Sequence, residues 1–176
     1  MIKTDELTGG ALSTGFTEAV WLDGLTLECE ERLRAYCNPE GCPNHGQNWV
    51  CPPGCGSLSE CAERVGAFHQ GLLLQTVSEP GTPVEDYKKL NRTHNLRLRE
   101  LIEKYGEGME IMALTSGGCV FCETCAYPEP CVKPSVRMNS LSAHGIDVGK
   151  LCERAGLDYS FRPDRVYFVA LVLIRE

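Results

Sequence analysis

The sequence has no surplus of positive charge. It holds 17 Lys and Arg against 24 Asp and Glu, a formal net charge of -7. No basic stripe interleaved with aromatic residues runs along it. This argues against a nucleic-acid surface, which needs concentrated Lys and Arg to meet phosphates. An acidic surface is compatible with docking to a basic protein partner, although most acidic proteins are merely soluble. Long apolar runs are missing as well. The longest, Val166–Ile174, has nine residues, whereas a membrane-spanning helix needs about 20. That run reads as a buried strand, and no membrane association is expected. Met1–Gly10 lacks a basic start followed by an apolar core, so no signal peptide is expected and the cytoplasm is the expected location. Internal repeats and low-complexity segments are absent. So are a Walker loop, a Rossmann glycine fingerprint and a His-Glu-x-x-His pair, which leaves no competing catalytic constellation.

Cysteine is what the sequence has in abundance: 11 in 176 residues. In a reducing cytoplasm, clustered cysteines bind metal or react more often than they form disulfides. The odd count also fits poorly with a closed disulfide set. Nine of the eleven fall into two groups, Cys37–Cys61 and Cys119–Cys131. The stretch between them has ordinary α/β character.

Length and a 43% hydrophobic content suit one domain over residues 1–176. Strands are expected at Ala19–Leu22, Leu25–Cys29, Gly71–Val77 and Met109–Thr115, near Tyr159, and at Val166–Ile174. In the second of these, Leu25, Leu27 and Cys29 alternate with polar residues. Glu30–Tyr36 reads as a short helix. Ser57 and Glu60 make a capping-box pattern that starts a helix to about Phe68, with Leu58, Cys61, Val65 and Phe68 on its apolar face. The longest helix is expected over Pro83–Tyr105. Thr82 would be its N-cap, Glu85 would complete a capping box, and Gly106 would end it in a left-handed conformation. Its apolar face would carry Val84, Tyr87, Leu98, Leu101, Ile102 and Tyr105. Lys88, Lys89, Arg92, Arg99 and Glu103 would form a solvated face. A short helix near Val148–Ala155 follows. The expected fold is α+β: a single sheet with helices packed on one face and the cysteine-rich metal-binding loops together at one end.

The second loop carries Cys119, Cys122 and Cys125 at three-residue spacing, then Cys131. Three cysteines so spaced can wrap one iron–sulfur cubane, each thiolate on one iron and backbone N–H groups turned toward the sulfides. Gly117 and Gly118 permit the close backbone approach. The run resembles that of bacterial ferredoxins, but its last interval is longer and the proline comes at Pro134. Whether Cys131 serves this cluster or a neighbouring one therefore stays open. Zinc is the alternative, although structural zinc prefers two ligand pairs separated by a longer segment.

The first loop carries Cys37, Cys42, Cys51 and Cys55, stiffened by Pro43, Pro52 and Pro53. Trp49 either shields a cluster or is ordinary core. His45 reads as a loop histidine rather than a ligand. Cys29 and Cys152 read as small core hydrophobes, while Cys61 is balanced between core and ligation. His94 reads as a satisfied core histidine.

Taken together, these pieces resemble a bacterial and archaeal family of cysteine-rich "predicted metal-binding proteins", a domain of unknown function. The matching pieces are Cys37–Pro53, Gly118–Cys125 with Pro130-Cys131, the Ser140–Val148 segment ending Gly-Ile-Asp-Val, and the closing strand. The resemblance covers nearly the whole chain after about Leu25. It implies metal binding through Cys37, Cys42 and Cys51 in the first loop and Cys119, Cys122, Cys125 and Cys131 in the second. By the same mapping Cys29, Cys55, Cys61 and Cys152 are additions of this chain. The resemblance implies iron–sulfur rather than a particular reaction.

Three functional classes follow. The first is an electron carrier of anaerobic metabolism with one or two [4Fe-4S] clusters and a redox partner protein. The second is an enzyme whose three-cysteine cluster leaves one iron open to substrate, for a dehydration or desulfuration. The third is an interaction module stabilised by zinc.

Overall fold

The computed structural model describes residues 4–175. Two strands hold the centre because each carries a run of apolar residues, Gly71–Leu74 and Phe168–Ile174. β2 (Gln70–Val77) and β5 (Tyr167–Arg175) are buried along almost their whole length. They pair antiparallel, with Leu72 opposite Val172 and Leu74 opposite Ala170. β1 (Glu18–Asp23) adds antiparallel to β2. β3 (Glu110–Thr115) adds antiparallel to β5, and the short β4 (Asn139–Ser140) runs parallel to β3. The order across the five-stranded sheet is β1-β2-β5-β3-β4.

The helices cover both faces of this sheet, not the single face expected from the sequence. Alternate residues of a strand point to opposite sides. Leu72 and Leu74, with Ala170, Val172 and Ile174, meet α1 (Thr4–Ser13) and α4 (Tyr87–Tyr105) through Leu7, Ala11, Leu98 and Leu101. Leu73, with Val169, Leu171 and Leu173, meets α3 (Leu58–Gly66) and α5 (Val148–Ala155) through Val65 and Leu151. Strands apolar on both sides need cover on both. The α+β class and the single sheet are as the sequence indicates.

Four local expectations change. Leu25–Cys29 joins no sheet. Gly24, at φ 58°, turns the chain away from β1. The Leu25 N–H then donates to the His69 carbonyl at 2.7 Å. Its apolar residues still pack inward, against the α3–α5 core. No strand forms at Tyr159. That segment is a loop organised by Asp158, which accepts from Ser160 and Tyr167. The long helix starts at Tyr87, because Pro83 is extended (ψ 141°) and Val84–Asp86 form a 3-10 turn. Gly106 caps that helix at φ -87°, not in the left-handed region. Glycine is needed there for space: a Cβ would stand 2.5 Å from the Ile102 carbonyl oxygen.

Helix α1 went unforeseen. Residues 1–3 lie outside the described residues, and Thr4 onward opens α1. Among the described residues, no helix is long and apolar enough to cross a membrane.

Candidate metal centre

The second cysteine loop leaves the sheet at the end of β3, where several contacts fix its direction. The Thr115 hydroxyl donates to Asn95 Oδ1 of α4 at 2.5 Å. Ser116 exchanges hydrogen bonds with Val169 of β5. Gly117, at φ 107°, lies so close to Asn91 that a Cβ would stand 2.6 Å from its Nδ2. The turn therefore delivers Cys119 at a set position. Phe121 anchors the loop by burial in the α1–α4 core, with the Arg99 guanidinium 5.6 Å from its ring centroid.

The first loop starts from α2 (Glu31–Arg34), a single turn. Asn38 Oδ1 accepts from the N–H groups of Glu40 and Gly41, and the Cys42 N–H returns to the Asn38 carbonyl. His45 is half-buried, with Nδ1 2.7 Å from the Cys37 carbonyl oxygen. The loop ends at the capping box read from the sequence: Ser57 accepts from the Glu60 N–H while Glu60 accepts from the Ser57 N–H.

The two loops meet. Trp49 Nε1 donates to the Glu129 carbonyl at 2.8 Å, and the Trp49 ring packs edge-on to Tyr127 at 5.1 Å. Between them lies a cavity of about 240 Å³ lined by Cys119, Cys122, Cys125 and Cys131, with Trp49 and Val50 from the first loop. Lys133 and Arg137 also line it, and Lys133 Nζ donates to the Phe121 carbonyl at 3.2 Å. Neither cation stood out in the sequence. Burial pushes the Cys37 and Cys51 thiols up. Cys51 interacts electrostatically with Cys42, Cys37 and Cys125, so one first-loop thiol reaches toward the second loop.

Cys55 faces another way and pairs with Cys61 of α3. Cys61 is fully buried, and its sulfur accepts from Arg34 Nη1 at 3.3 Å and Arg64 Nη2 at 3.1 Å. The hydrogen bond to Cys61 and burial push the Cys55 thiol up. That same bond, with His144 and Arg64 nearby, holds Cys61 well below the usual thiol range against the effect of burial. The Arg64–Cys61 contact was visible in principle as an i, i+3 pair on one helix. His144 and Arg34 come from distant segments and gave no local signal.

Cys152 is buried in the α3–α5 core, and its pKa is raised to about 11 by that burial. His94 is likewise core, fully buried and bonded through Nδ1 to Thr76 Oγ1 at 2.8 Å. All eleven cysteines are free of disulfides. Among the described residues, no three His, Cys, Asp or Glu side chains stand close enough to hold a metal ion as they are. The donor chemistry nevertheless fits: soft thiolates select zinc, copper(I) or iron–sulfur groups, and ligands gather as the metal enters.

No curated protein and no solved structure matches the chain. The family described as "Predicted metal-binding protein" (DUF2284) matches residues 20–174, from within β1 to within β5 and through both cysteine loops, and the chain belongs to that family.

Proposed function

We propose that the chain is an iron–sulfur protein that passes electrons, with Cys119, Cys122, Cys125 and Cys131 as the ligands of a [4Fe-4S] cluster. The cavity that these four cysteines share carries the reading. At about 240 Å³ the cavity has far more room than a single ion requires and suits a polynuclear group. Lys133 and Arg137 supply positive charge beside a site whose thiolates are negative. Phe121 and Trp49 limit the access of water, which tunes the potential of a cluster. Cys37, Cys42 and Cys51 form the ligand set for a second cluster beside the first. An electron would enter or leave through a basic partner protein docked on the acidic surface.

One observation favours a second reading. Cys55 is engaged with Cys61, which leaves the first loop three cysteines. A cluster held by three has one iron open to a substrate oxygen or sulfur as a Lewis acid.

Strictly anaerobic purification followed by metal and sulfide analysis tests the proposal. The expected protein is brown, with iron and acid-labile sulfide in equal amounts and a reversible one-electron reduction at low potential. Cys125→Ala should lose iron. A colourless protein holding only zinc would overturn the reading. An EPR signal that shifts with cyanide or a candidate substrate would favour the open iron over the electron carrier.

A further inference from the structure

Cys29, Cys55 and Cys61 lie outside the ligand sets proposed above, yet they are not scattered. Cys55 pairs with Cys61, and Cys29 lies close enough to interact electrostatically with Cys61, Arg34 and Arg64. Cys55 and Cys61 pack with Ala143, the residue before His144.

His144 points to what gathers them. It is fully buried, and its Nδ1 lies 2.9 Å from the Ser140 carbonyl oxygen. A carbonyl only accepts, so Nδ1 carries the proton and the neutral ring keeps its lone pair on Nε2. Nε2 is buried with no hydrogen-bond partner, and the ring interacts with the Cys61 thiol. An imidazole fixed through Nδ1–H to a backbone carbonyl, with Nε2 unpartnered and a thiol beside the ring, is held as a metal-binding histidine is. The surrounding fold holds this arrangement together. The Glu30 N–H donates to the Gly145 carbonyl at 2.8 Å, which ties the residue after Cys29 to the residue after His144. Gly145, at φ 65°, allows the approach: a Cβ there would stand 2.6 Å from the Glu30 carbonyl oxygen.

We propose that Cys29, Cys55, Cys61 and His144, which stand too far apart to hold an ion as they are, draw together around zinc in a site beside the first cysteine loop, where Cys37 packs against Cys55 and Cys61, with ligands other than those proposed for iron. Three thiolates and one imidazole are an established tetrahedral zinc donor set. Arg34 and Arg64, which both donate to the Cys61 sulfur, offset the thiolate charge. Zinc entry releases the thiol protons of the ligating cysteines to solvent. The site would pin three distant segments together: the extended stretch after β1, the start of α3 and the turn after β4.

The test is zinc and iron content of the full chain, purified anaerobically and reconstituted with both metals. Cys61→Ser and His144→Gln should each lose one zinc equivalent relative to the unaltered chain and keep their iron and sulfide. Cys125→Ala should lose iron and keep that zinc. Equal zinc in the unaltered chain and both variants overturns the site, as does a chain that takes no zinc. X-ray absorption at the zinc edge of the unaltered protein needs no variant to fold. Three sulfurs and one nitrogen around zinc support the site, and an all-sulfur shell overturns it. The zinc readout is independent of the iron readout, so failure here and failure of the iron–sulfur reading are distinguishable.

Discussion

His94 illustrates how one buried group gives the protein a pH limit. Its ring is enclosed by Phe16, edge-on at 5.3 Å, and Phe168. Burial lowers its pKa from 6.5 to about 4. Between those values the unfolded chain binds a proton that the folded chain refuses, so stability rises with pH across that window. The contribution is intact above pH 6.5 and is lost as the pH falls to 4, to an extent of about 3 kcal/mol. Urea unfolding midpoints measured at steps between pH 7 and 4 should fall accordingly. His94→Gln should be less stable at pH 7 and show a flatter profile. Parallel profiles for the two proteins would show that His94 does not set the limit. The same logic separates the cysteines by role. Cys152 is pushed up by burial alone and behaves as core, whereas Cys61 meets two guanidiniums and an imidazole.

At the scale of the element, α3 connects the first cysteine loop to the core. Its capping box satisfies N–H groups that the helix itself leaves open. Ser57→Ala should cost about 1 kcal/mol, a typical cap loss, read as a lower thermal midpoint with far-UV dichroism otherwise retained. No change in the midpoint would mean that the loop, and not the cap, fixes the helix start. This element was legible in the sequence because its signal is local: Ser57 and Glu60 lie three residues apart. The apolar runs of β2 and β5 were legible for the same reason. Helix α1 was not, because its fit is tertiary. Gly10 lies so close to the Tyr105 ring that a Cβ would stand 2.6 Å from it, and nothing local to Thr4–Ser13 announces that contact. The start of α4 was misplaced because Thr82, a good N-cap by composition, donates instead to the Glu79 carbonyl at 2.6 Å. For the site, spacing revealed both cysteine loops. It could not reveal the meeting of Cys61 with the Ala143–His144 turn, some 82 residues further along the chain.

At the scale of the whole molecule, the two loops meet away from the sheet, although Phe121 and the Ser116–Val169 bonds anchor the second loop to the core. Trp49 joins them through a hydrogen bond to the Glu129 carbonyl and a ring contact with Tyr127, while β2 and β5 are secured by leucines buried on both faces. Stability need not be uniform across such a structure. Stripping metal with a chelator should speed amide exchange in residues 37–56 and 117–137 and leave β2 and β5 protected. Exchange that rises equally everywhere would instead make the metal a support of the entire fold. Trp49 fluorescence should report the same loosening, because its indole sits where the loops touch.

The strand order has a consequence for biosynthesis. β5 lies between β2 and β3, yet it is translated after every other strand and after both cysteine loops. A nascent chain therefore exposes all its thiols before the sheet that positions them can close. Non-local pairing of this kind forms late, since distant segments must first be brought together. Metal captured during translation would meet loose thiols without their scaffold. Orderly metal loading of the cysteine loops is favoured only once residues 167–175 have left the ribosome and inserted between their neighbours.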